Sequence, residues 1–156
     1  MRRVPLFPLT EPDQWDEYTL LAATILLEAE GEPPDGNDGV AHVVMSRHRI
    51  WNRPIHNVIL GLDGKSDDIY EPFSCWNSDY RTRALTRLAA ADDQPLITAW
   101  RAAAGSLWQF TRDPTGGALF YLNLLLTKKI RGGTLPSWFS EEKVTCTIGR
   151  HTFLKG

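Results

Sequence analysis

Long apolar runs are missing from this chain of 156 residues. Its most apolar stretches, 20–27 and 118–126, reach less than half of the ~20 residues that a membrane-spanning helix needs. Cysteine is scarce: Cys75 and Cys146 are too few for a disulfide framework and lack the C-x-x-C spacing of a metal site. Between Val4 and Ser46 there is no Lys or Arg at all. There is no H-E-x-x-H spacing for a catalytic zinc and no Gly-rich phosphate loop with its lysine. Neither a metal nor a cofactor is therefore expected. Met1-Arg2-Arg3 is basic, but the prolines within 4–9 interrupt any secretory apolar segment, so no export signal is read there. Internal repeats and low-complexity tracts are absent too.

What is present fits one globular domain: 42% hydrophobic and 23% charged residues, in a length that can bury a core without staples. The net charge of −2 conceals an asymmetry. Nine acids lie between Val4 and Ser46, whereas the chain from Arg47 onward carries a local charge of +5. That is a statement about fields and partners rather than fold. The basic excess is too mild and scattered for nucleic acid, and an anionic wall polymer fits it better.

Residues 1–12 read as a proline-rich lead-in and 13–156 as the functional domain. Thr10 or Asp13 is the expected cap of a first helix running to about Ala29, with Tyr18, Ala22, Ile25 and Ala29 on one stripe. Gly31 and Pro33-Pro34 stop it, and a second helix is expected from about Gly36 to before Pro54. Residues 54–60 suit either a helical turn or a strand. Gly61–Asp68 is a polar loop, Tyr80–Ala91 is helical, and Pro95 is the expected first residue of another helix. Asp113-Pro114-Thr115-Gly116-Gly117 is a turn. Alternation in Val144, Cys146 and Ile148, then Gly149-Arg150 and Thr152-Phe153-Leu154, predicts a terminal β-hairpin. The sum is an α+β domain, mainly helical.

Glu28 is the informative side chain. On a helical wheel it lies about 20° from Leu21 and about 60° from Ile25, at the border of the apolar stripe. Lost hydration favours the protonated carboxyl, and a carboxylic acid is what a glycosidic oxygen needs as proton donor. A helix-terminal acid reaching into solvent is the alternative. Glu32 follows as a site acid or a solvated loop residue. Phe73, Ser74, Trp76 and Asn77 combine ring faces, a hydroxyl and an amide, the mixture that sugar recognition uses; a turn over the core explains them equally. Tyr121 and Asn123 invite the same two readings. Cys75 could serve as a thiol nucleophile with one of His42, His48, His56 or His151, or as a small buried apolar group.

Leu27-Glu28-Ala29-Glu30-Gly31-Glu32 with Gly39–Arg47 resembles the opening of the SleB-type cell-wall hydrolase domain, the catalytic domain of spore cortex-lytic enzymes. Phe73-Ser74-Cys75-Trp76-Asn77 resembles its F-S-C-W-N segment. Asp113–Ala118 resembles its D-P-T-G-G-A loop, and Thr147–Phe153 its I-G-x-H-x-F ending. Four motifs stand in order over about Leu20–Lys155. The resemblance implies a lysozyme-like, lytic-transglycosylase-like α+β fold and cleavage of peptidoglycan glycan strands between N-acetylmuramic acid and N-acetylglucosamine. It implies that Glu28 is the catalytic acid/base, with Glu32 supporting the site. The histidine-rich segment that many relatives carry after the D-P-T-G-G-A loop is replaced here by Leu119-Phe120-Tyr121-Leu122-Asn123, in which only Tyr121 matches. Peptidoglycan is the expected partner, without nucleic acid or stable membrane insertion, and the chain is expected to be a monomer. With no export signal read, the expected setting is a phage endolysin, held in the host cytoplasm before lysis and acting afterwards at the wall. Hydrolytic muramidase action, a Cys75-dependent amidase and a non-catalytic glycan-binding module are the alternatives.

Overall fold

The computed structural model describes residues 7–64 and 73–156. The first six residues of the lead-in, the end of the 61–68 loop and Glu71-Pro72 lie outside them. The described residues form six α-helices: α1 Glu17–Ala29, α2 Pro34–Ile50, α3 Ile55–Leu60, α4 Ser78–Ala90, α5 Asp93–Leu107 and α6 Leu124–Ile130. Three strands, β1 Phe120–Asn123, β2 Val144–Ile148 and β3 His151–Leu154, form an antiparallel sheet in the order β1-β3-β2.

The first helix starts later than Thr10 or Asp13. Pro12–Gln14 is a separate 3-10 turn, and Trp15 is extended at ψ 151°. The cap is Asp16, whose carboxylate accepts from the Thr19 N–H at 2.9 Å and the Thr19 hydroxyl at 2.9 Å. The one-stripe expectation also gives way. Residues 19–27 are buried all round, because α1 runs through the middle of the core with α2, α3, α4 and α5 packed about it. Its most deeply buried hydroxyl is satisfied: Thr24 donates to the Leu20 carbonyl at 2.7 Å and accepts from the Trp76 indole at 2.9 Å.

Pro34 is the first residue of α2, so the prolines that end one helix also begin the next. Pro95 is the third residue of α5 rather than the first, still within the turn that has no intrahelical N–H partner to lose. Residues 55–60 resolve as helix, closed by Gly61 at φ 67°. The apolar run after β1 folds as α6, which the hydropathy pattern alone did not reveal; Asn123 caps it by accepting from the Leu126 N–H at 3.0 Å.

The expected hairpin is present as β2 and β3 around Gly149-Arg150, with Ile148 opposite His151. It is extended by β1, which pairs Tyr121 with Phe153 and Asn123 with His151. The loop that delivers β1 is built by Asp113. Its carboxylate accepts from the Thr115 N–H at 2.8 Å, the Thr115 hydroxyl at 2.6 Å and the Gly117 N–H at 2.9 Å. The D-P-T-G-G-A motif thus works as a self-bonded turn.

Sheet and helices meet where Phe153 lies against Gly39 of α2. A methyl group on Gly39 would stand 2.6 Å from Phe153 Cζ and 3.2 Å from Thr115 Cγ2, and both neighbours are buried. Gly39→Ala should therefore destabilise by roughly 1–2 kcal/mol net, overpacking outweighing the ~1 kcal/mol gain in helix propensity. Urea unfolding checks this, and an unchanged or raised midpoint would show that the ring yields.

Candidate active site

Glu28 stands one residue before the end of α1, half-buried, where the helix leaves the core. The Tyr121 hydroxyl donates to its Oε2 at 2.7 Å across 93 residues of sequence. Burial, then the charge and hydrogen bond of Glu28, push the Tyr121 phenol well above its ordinary pKa, so it remains a donor. The Cys75 thiol lies close enough to the same carboxylate to feel its charge. Burial first, then Glu28, pushes that thiol well above its ordinary value too. A thiol held protonated beside a carboxylate is the opposite of an activated nucleophile.

Tyr121 is itself walled by rings. Phe73 lies 6.3 Å away between centroids, Phe153 5.7 Å and His151 4.9 Å. His151 is 7% exposed, and its Nδ1 is buried with no hydrogen-bond partner among the described residues. Burial lowers its pKa against the opposing pull of Glu32 and Glu28, which leaves a neutral imidazole at pH 7. Behind Phe73 and Phe120 lies Arg47, which donates to the Leu119 carbonyl at 2.7 Å.

Glu32 is engaged elsewhere. Its side chain is only 3% exposed, and Arg150 donates to both oxygens, from the backbone N–H at 2.9 Å and from Nε at 2.7 Å. Gly149, at φ 56°, has no Cβ to collide with that carboxylate. Burial opposes the Glu32 charge, but the Arg150 bonds and the nearby His151 and Arg150 charges outweigh it and hold its pKa below the ordinary value. Glu32 thus pins the hairpin turn to the α1–α2 connection.

The other residues singled out by sequence divide. Ser74 is exposed and lines a cleft of about 480 Å³ with Leu27, Cys75, Tyr80 and Arg87, next to Glu28. Phe73 is a buried wall behind Tyr121. Trp76 is 3% exposed and lies edge-on to Trp15, so it belongs to the core and offers no ring face to a sugar. Asn77 is exposed at the head of α4, and the Asn123 amide oxygen is committed to capping α6. Sequence reasoning missed His151 and Cys75 as neighbours of Glu28. The signal existed for His151: a hairpin register about Gly149-Arg150 places it beside whichever strand pairs with β3. Among the described residues no group of His, Cys, Asp and Glu side chains has the arrangement of a metal site.

The arrangement is a half-buried carboxyl beside an open cleft, fixed by a phenol, with the second acid withdrawn. A model of the Cell Wall Hydrolase family matches residues 31–154. The chain belongs to that family. It is an enzyme of peptidoglycan cleavage, and its fold agrees. The catalytic domain of the Bacillus cereus SleB protein superposes with a TM-score of 0.52 at 23% identity, over 96% of this chain and 95% of that one. The catalytic domain of the germination-specific lytic transglycosylase SleB from Bacillus anthracis gives 0.53 at 25% identity, over 93% of this chain and 100% of that one. A search of curated proteins finds no match. The family match begins just after Glu28, so the case for that residue rests on its half-burial beside the cleft and the bond it accepts from Tyr121.

The lowered pKa of Glu32 sets a pH dependence. Its ionised form is favoured by folding, so the stabilisation is present above the ordinary value near 4.5 and is lost as pH falls through the folded-state pKa. Glu32→Gln should cost roughly 1–2 kcal/mol at pH 7, discounted for the exposed Arg150 partner. The gap to wild type should close in acid. Thermal unfolding from pH 7 to 3 checks this, and a gap that persists unchanged to pH 3 would refute the ion-pair role.

Proposed function

We propose that this cell-wall hydrolase acts as a lytic transglycosylase on the bond from N-acetylmuramic acid to N-acetylglucosamine, with Glu28 as the one acid/base. The observation that carries the reading is the engagement of Glu32. Hydrolysis with water as acceptor ordinarily uses two carboxylates. Here the nearest second acid in sequence beyond Glu30 has both oxygens bonded to Arg150. Glu30 is tied to Arg87 at 2.6 Å on the surface, and Asp38 faces His42 from within α2.

In the proposed step the Glu28 carboxyl gives its proton to the glycosidic oxygen as the bond from muramic C1 to that oxygen breaks. The muramic C6 hydroxyl then bonds to C1, and its proton returns to the Glu28 carboxylate. A 1,6-anhydro product forms and no water is consumed. Tyr121, kept protonated, donates to Oε2 and fixes the plane of the carboxyl through both proton transfers. The likeness to the lytic transglycosylase SleB supports the reaction type. The raised Cys75 pKa speaks against a thiol-dependent amidase. The endolysin role is proposed with it. Its test is inducible expression with and without a membrane-permeabilising partner, lysis being expected only with one.

Mass spectrometry of digested sacculi decides the chemistry. Anhydro-muropeptides are expected; reducing-end muramic acid would mean hydrolysis, and free stem peptides an amidase. Glu28→Gln should lower the rate by roughly two to four decades while the protein stays folded. Near wild-type cleavage by that variant would remove Glu28 from the mechanism. Tyr121→Phe should lower kcat by roughly ten- to hundredfold, the worth of one hydrogen bond to a charged group, with little change in KM. An unchanged kcat would make the contact merely structural.

A further inference from the structure

Helix α6 is anomalous in a core-forming fold: none of its residues is buried. Leu125 is 84% exposed, Leu126 50% and Ile130 74%. Lys128, Lys129 and Arg131 are exposed among them. On a helical wheel Leu125, Lys129, Leu126 and Ile130 share one side and Lys128 flanks it, while Arg131, just past the helix, falls on the far side. The surrounding sequence is one-signed: the 27 residues from Pro114 to Ser140 contain no Asp or Glu. A contiguous group of branched aliphatic side chains in open water marks a contact surface.

Three occupants compete, and the chemistry separates them. Glycan strands are gripped by aromatic faces, and residues 124–135 contain no aromatic side chain; the anionic groups of the wall polymer would answer the lysines but leave Leu125, Leu126 and Ile130 uncovered. A second copy across a two-fold axis would bring the same two lysines face to face. An anionic bilayer surface answers both halves of the patch, with phosphate groups for Lys128 and Lys129 and acyl chains for Leu125, Leu126 and Ile130. We propose that α6 is a peripheral docking surface for a bilayer containing anionic phospholipid. Contact is shallow and reversible: α6 is a single short helix, and no helix among the described residues is long and apolar enough to cross a membrane. The proposal is independent of the transglycosylase reading, because α6 lines a separate concavity with Gly149, Arg150 and Thr152 and supplies no group to the cleft of Ser74 and Cys75 beside Glu28.

The test is co-sedimentation of the whole chain with vesicles of phosphatidylcholine alone or with phosphatidylglycerol, at low and high salt. Wild type should bind the phosphatidylglycerol vesicles, and salt should weaken that binding. Leu125→Asp with Ile130→Asp should lose at least roughly tenfold in partitioning, as should Lys128→Glu with Lys129→Glu, which leaves the apolar side chains in place. Both variants should cleave sacculi within about twofold of wild type, showing that the fold and the cleft persist. Failure of wild type to bind, or equal binding by both variants, would overturn the proposal. So would a loss of sacculus binding in the variants, which would make the patch a wall contact, or a wild-type dimer that the variants dissociate.

Discussion

Arg47 is the buried cation on which the relation of sheet to helices depends. A guanidinium 7% exposed carries a desolvation cost of several kcal/mol unless its surroundings replace water. They do so with the Leu119 carbonyl at 2.7 Å and with the rings of Trp51, Phe73 and Phe120, each 5.2–5.4 Å from the guanidinium carbon. Those partners come from the end of α2, the turn before α4 and the entry to β1. Holding Leu119 fixes where β1 begins, and two residues later Tyr121 reaches Glu28.

The site is thereby assembled from parts with different tasks. α1 is packed on every side from Thr19 to Leu27, and it carries Glu28 out of the core at its last turn. The sheet brings a hydrogen-bond donor to that carboxylate and a neutral imidazole beside it. The Glu32–Arg150 pair closes the arrangement from the far side by holding the hairpin turn against the helix connection. An exposed arginine contributes little through charge alone, but here it meets an acid that is almost fully covered, and the backbone N–H of the turn joins in.

Much of this was legible in the sequence where local chemistry decides it. Gly149-Arg150 fixed the hairpin and Pro33-Pro34 the junction of α1 and α2, and with it the helix end at which Glu28 leaves the core. Long-range competition hid the rest. Trp76 and Phe73 look like a sugar platform in a segment of five residues, yet Thr24 and Arg47, 52 and 26 positions earlier, draw them inward. Glu32 looks like a second catalytic acid until the chain returns 118 residues later with Arg150. α6 escaped notice because periodicity signals a buried face, and this helix buries none.

The rings of the helical core also touch in sequence: Trp76 with Trp15, Trp15 with Phe7, Phe7 with Trp100, Trp100 with Tyr18, and Tyr18 with Trp108, at centroid separations of 4.7–6.0 Å. Four of the six tryptophans belong to this array; Trp51 and Trp138 instead flank Phe120 on the sheet side. Light absorbed anywhere in the array migrates among its members, so its emission is a collective property of the packed helices. The remaining two indoles emit from a different neighbourhood, one of them beside a guanidinium. The molecule thus carries two intrinsic optical reporters, one for its frame and one for the strands that complete the cleft.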